Sequence, residues 1–88
     1  MKNTVTQEQI NNLIAESDIK VSTIFDKVTV VSLKLPSGFV ITESSGCVDT
    51  ANYDESLGRE LCLQRIEDRL WELEDYALQK SIANSLTC

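Results

Sequence analysis

The sequence predicts a single α+β domain over residues 1–88, with a short N-terminal helix, a small antiparallel sheet of two or three strands with a central hairpin, and one long C-terminal helix packed on the sheet. Three observations carry this. Apolar residues follow a helical period from residue 52 to about residue 80. A run rich in β-branched residues, 19–35, precedes it. Between them, Pro36-Ser37-Gly38 supplies a turn and residues 39–43 a return strand. Helix, strands and helix in that order suit a sheet with helices laid on one face.

The first helix is expected over residues 7–16. Thr6 and Gln9 form a capping-box pattern, and Ile10, Leu13 and Ile14 give an apolar face at helical spacing. Ser17-Asp18 ends it. Asp26-Lys27 then divides the β-rich run into a short segment, 21–25, and a strand, 27–35. The short segment is open to two readings, strand or loop. In the longer strand Val31, Leu33 and Leu35 share one face, while Val28 and Val30 make the start of the other face apolar too. A central position, a bulge or a subunit contact would each explain that. Pro36 presets the turn and Gly38 suits a left-handed backbone. Ser44-Ser45-Gly46 closes the return strand, and residues 47–51 connect to the long helix.

In that helix Leu57, Leu61, Ile66, Leu70, Leu73 and Ala77 stay near one face, widened by Cys62, Leu63 and Trp71. Asn52 and Glu55 are placed to cap its start, and Asp54 and Glu55 suit the positive end of its dipole. Gly58 is the weak point, either a gap for a close backbone approach or an accident of position. A break near Asp75 is the alternative to an unbroken run. About 28 residues make a helix about 42 Å long. The upstream chain is too short to cover all of it, so a homodimer or higher oligomer is expected. Residues 1–5 and 82–88 are expected to fray.

The totals narrow the function. Hydrophobic residues are 42% and charged residues 25%, an ordinary globular balance. The net charge of −6 argues against direct DNA or RNA binding and against anionic membranes. No apolar run is long enough to span a membrane and the N-terminus has no signal-peptide core, so a cytoplasmic protein is expected. There is no histidine, and Cys47, Cys62 and Cys88 are widely spaced with no C-x-x-C pair, which leaves too few conventional ligands for a zinc site. They read as reduced thiols, with Cys62 in or beside the core and Cys88 on a frayed end. No cofactor or metal is expected, and no catalytic set is evident.

Arg59, Arg65 and Arg69 stand in an acidic run. Glu55–Arg59, Arg65–Asp68 and Arg69–Glu72 have the spacing of helical ion pairs, which makes a solvated, salt-laced face the plain reading. The sharper one is a grip on phosphate or carboxylate in a cleft between subunits, since arginine forms bidentate contacts with both. Such a cleft would use a flat side chain for stacking, with Phe39 and Trp71 the first candidates.

The strand 28–35, the segments LPSGFVITES and CVDTANYDESLG, and Leu70-Trp71-Glu72-Leu73-Glu74 together carry a resemblance. Over about residues 6–79 the chain resembles a family of small phage proteins, named for gp-forty-nine of phage N-four and the gene-sixty-six product of phage Sf-six. Gly46 departs from the small alanine-like residue expected there. The resemblance implies a phage or prophage accessory protein acting in the host cytoplasm, and it brings no catalytic residues. The strand–turn–Gly-Phe–strand–helix order is more loosely similar to phage proteins that soak up cyclic nucleotide signals. Three readings follow. The first is a non-enzymatic oligomer that counteracts host defence by sequestering a small anionic nucleotide, using Arg59, Arg65, Arg69, Phe39 and Trp71. The second is an acidic inhibitor of a host protein, or a nucleic-acid mimic, using Glu60, Glu67, Asp68, Glu74 and Asp75. The third is a small metal-dependent hydrolase using Asp49 and Asp54.

Overall fold

The computed structural model describes residues 4–86. Its elements are α1 (Gln7–Ala15), β1 (Asp18–Ile24), β2 (Val28–Lys34), β3 (Val40–Gly46), a single 3₁₀ turn (Thr50–Asn52) and α2 (Glu55–Leu86). The fold is α+β, with both helices on one side of a three-stranded antiparallel sheet ordered β1-β2-β3.

α1 opens with the expected capping box, Thr6 and Gln9 each accepting from the other's backbone N–H. Val5, expected in a loose end, packs against the core instead. The short segment is a strand, and a longer one: β1 pairs with β2 from Asp18↔Lys34 to Ile24↔Val28. The turn between them, residues 25–27, holds Phe25 and Asp26 at φ of 55° and 54°. The N–H of Lys27 donates to the Ile24 carbonyl at 3.2 Å. A left-handed backbone suits glycine or asparagine, and an aromatic residue held there stores about 1–3 kcal/mol of strain.

The second turn follows its sequence. Gly38 adopts φ 97° and its N–H donates to the Leu35 carbonyl at 2.8 Å. β3 then runs further than expected. Ser44, Ser45 and Gly46 do not close it; they pair with Val30, Thr29 and Val28. Pairing with β2 here outweighs their low strand propensity. β2 is therefore the central strand, and its alternation sends Thr29, Val31 and Leu33 to full burial against the helices.

α2 also differs from its expected bounds. Asn52 lies in the 3₁₀ turn, and Asp54 caps the helix: its carboxylate accepts from the Leu57 N–H at 3.2 Å and its carbonyl from Gly58 at 3.0 Å. The helix continues unbroken past Asp75 to Leu86, so residues 82–86 are helical rather than frayed. Residues 1–3 and 87–88, with Cys88, lie outside the described residues.

The buried stripe of α2 is Gly58, Cys62, Ile66 and Leu70, each four residues from the next. Leu57 and Leu61, expected on that stripe, are 54% and 39% exposed. The reason is contact with β2. A Cβ on Gly58 would lie 2.3 Å from Thr29 Oγ1, so the glycine is what lets helix and strand meet. Burying side chains the size of Ile66 and Leu70 contributes about 1.5–3 kcal/mol each. Ile10 of α1 completes this core with Val31, Leu33 and Ile41.

The 32 residues of α2 span about 48 Å, while a strand of seven residues covers about 23 Å. The molecule is accordingly elongated, 58 × 20 × 19 Å, with the end of α2 projecting beyond the sheet.

Candidate functional site

Arg65 and Arg69 lie one helical turn apart and both reach across to the edge strand β3. Arg65 donates to the Ser44 backbone carbonyl at 2.6 Å. Arg69 pairs with Glu43 at 3.2 Å, with side-chain exposures of 47% and 23%. These contacts replace the pairs with Asp68 and Glu72 that helical spacing suggests. Strand alternation turns Glu43 toward α2, beside Arg69. Arg59 is exposed and has no hydrogen bond or ion pair among the described residues. Its expected partner, Glu55, instead accepts from Thr23 Oγ1 at 2.9 Å.

Within one chain the five candidate residues do not converge. Arg59 lies ten residues before Arg69, about 15 Å along the helix. Phe39, 52% exposed, stands at the turn before β3, five residues from Ser44 and about 17 Å along the strand. Trp71 is half-buried against the core. The structure therefore brings Arg65 and Arg69 together and leaves Arg59, Phe39 and Trp71 apart.

Two cations missed in the sequence lie on the face of the sheet turned away from the helices. Lys20 and Lys34 join Asp18, Ile19, Ser32 and Val40 around a groove of about 460 Å³. Ser32 and Thr42 link hydroxyls on the same face at 2.9 Å. Alternation puts both lysines on one face, but only the register, with Asp18 opposite Lys34 and Lys20 opposite Ser32, brings them together.

A second polar group closes the start of α2. The Tyr53 hydroxyl lies 2.7 Å from Thr23 Oγ1 and 2.8 Å from the buried Thr29 Oγ1. Thr23 has one proton and gives it to the Glu55 carboxylate. Tyr53 therefore donates to Thr23, and Thr29 donates to Tyr53. The hydroxyls of Thr29, Tyr53 and Thr23 are thus each paired, and both strands of the first hairpin are tied to the start of α2.

Asp49, Asp54, Cys47 and Cys62 each make a local hydrogen bond. Asp49 accepts from the Ala51 N–H at 2.9 Å and so caps the 3₁₀ turn, as Asp54 caps α2. No group of three or more acidic, cysteine or histidine side chains is placed to hold a metal ion among the described residues. The Cys47 thiol donates to the Asp49 carbonyl at 3.2 Å. Cys62 is buried and donates to the Thr29 carbonyl at 3.7 Å. Burial pushes the Cys62 thiol up in pKa, nearby Arg65 opposes this and Glu43 adds to it. A neutral thiol follows, suited to packing rather than nucleophilic attack.

No helix among the described residues is long and apolar enough to cross a membrane. The chain belongs to the Phage protein (N4 Gp49/phage Sf6 gene 66) family, whose sequence model matches residues 5–82. No curated protein and no solved structure matches it.

Proposed function

We propose that this member of the family is a non-enzymatic accessory protein that counteracts host defence in the host cytoplasm by sequestering a small anionic nucleotide signal in a homo-oligomer. The observation that supports it is the pair Arg65 and Arg69 along an open strand edge. A guanidinium carries five N–H donors, and the contacts to Ser44 and Glu43 each use one nitrogen of their arginine. An exposed ion pair such as Arg69–Glu43 contributes about 0–1 kcal/mol, so exchanging Glu43 for a ligand phosphate costs little. The unpaired groups of β3 and the projecting end of α2 both suit a second copy of the chain. That copy would bring its own Phe39 or Arg59 toward the arginine pair, completing a grip that one chain does not hold.

The test is native mass spectrometry of protein purified gently from infected cells, followed by titration with a panel of cyclic nucleotides. An oligomer carrying a nucleotide-sized mass is expected. Arg65→Ala and Arg69→Ala should each weaken nucleotide binding about tenfold or more, the worth of a charge-assisted contact, with an unchanged melting curve. Unchanged binding in both variants and in Arg59→Ala would overturn the reading.

One observation favours a protein target as the second reading. Glu60, Gln64, Asp68, Glu72 and Asp75 are all exposed and spaced four, four, four and three apart, so they form one stripe with no cation in it. The like charges of Asp68, Glu72 and Asp75 repel at that spacing, and a basic partner would relieve them. This reading requires salt-sensitive binding that Asp68→Asn and Asp75→Asn weaken and that the arginine variants leave intact.

A further inference from the structure

Phe25 breaks two rules at once. It is 88% exposed, although it is among the most apolar side chains in the molecule, and its backbone is left-handed, where glycine or asparagine is favoured. Neither feature helps the fold, because the turn's hydrogen bond from Lys27 to Ile24 needs no particular side chain at position 25. Strain and exposure kept together at one residue point to use elsewhere.

The surroundings say what kind of use. The N–H of Cys47 donates to the Lys27 carbonyl at 2.9 Å, which brings the connection after β3 to the same end of the molecule. Val48, in that connection, is 94% exposed, and Ile24 beside the turn is 42% exposed. The Thr23–Glu55 and Thr23–Tyr53 hydrogen bonds bring the start of α2 there too. Asp26, Asp49, Asp54 and Glu55 are all exposed at this end, against the cations Lys27 and, one helical turn after Glu55, Arg59. The result is a projecting aromatic wedge with apolar neighbours and an acidic rim.

We propose that the Phe25 hairpin tip is an anchor for a protein partner, inserting the ring into an apolar pocket rimmed by basic side chains. The ring supplies the buried centre of such an interface, and the carboxylates supply steering and register. The surface is separate from the Arg65–Arg69 edge, so it does not depend on nucleotide binding.

The experiment uses the full chain. Benzoylphenylalanine replaces Phe25 in phage-infected cells, and the photo-crosslinked species is identified by mass spectrometry. That protein is then purified and its binding to wild type, Phe25→Asn and Phe25→Gly is measured at low and high salt. The expected result is one identified protein. Its binding should weaken at high salt and fall about tenfold or more in both variants, as for a truncated aromatic anchor. Both variants should melt at or above the wild-type temperature and should keep any nucleotide bound by the wild type. Adducts only to lipid, only to a second copy of the chain, or to nothing would overturn the proposal. So would undiminished binding by the variants, or melting temperatures below wild type, since the strain argument would then be wrong. A wild-type chain that binds the crosslinked protein but takes up no nucleotide would count against the proposed function alone.

Discussion

α2 passes through two environments. Over residues 55–73 it buries Gly58, Cys62, Ile66 and Leu70 against the sheet and α1. Over residues 74–86 none of its described side chains is fully buried, and only Glu74, Leu78 and Ile82 are even half-buried. The backbone is equally helical in both. The difference teaches that packing fixes the first half and continuation carries the second. A helix already nucleated extends at little cost even where nothing covers it, since the unfavourable step is the first turn. The far half is then free to be covered by something else, and a second copy of the chain is the occupant expected from the sequence.

Three substitutions would break or sharpen that contrast. Leu70→Ala removes the last fully buried side chain of the packed half and should cost about 2–5 kcal/mol in urea unfolding followed by circular dichroism. A loss below about 1 kcal/mol would mean that the core is not where packing holds the helix. Gly58→Ala should gain about 1 kcal/mol of helix propensity yet lose about 1–3 kcal/mol to the clash with Thr29, for a net fall in stability. A raised melting temperature would show that the helix can stand off from β2. Ile82→Ala, in the uncovered half, should change stability by no more than about 0.5 kcal/mol in dilute protein. A larger loss that grows with chain concentration would reveal a second copy over this surface.

What could be read from the sequence was what local chemistry decides. Thr6 with Gln9 marked the start of α1, and Pro36 with Gly38 marked the second turn. The misplaced features depend on distant partners. Ser44, Ser45 and Gly46 look like a strand end until β2 is placed beside them. Ile66 and Leu70 are buried as their spacing predicts, and only the first two turns of the stripe differ, because Leu57 and Leu61 carry a strong apolar signal whereas Gly58 and Cys62 carry a weak one and are the residues buried. The arginines were legible as candidates. Their contacts were not, because Glu43 and Ser44 lie 26 and 21 residues away and displace the pairs expected within the helix. Lys20 and Lys34 were missed for the same reason, since their proximity exists only in the register of β1 on β2. Phe25 left no signal in the sequence, because an aromatic residue after a β-branched run reads as one more strand position.

The hydroxyl chain through Thr29, Tyr53 and Thr23 also acts as a gauge of alignment. Thr23 and Thr29 stand directly opposite each other, and a single tyrosine spans both. A shift of β1 by one residue would turn Thr23 to the other side of the sheet and cut the path to Glu55. The alignment therefore depends on the number of residues in the tip, 25–27, and an insertion or deletion there would mis-thread the hairpin against the start of α2.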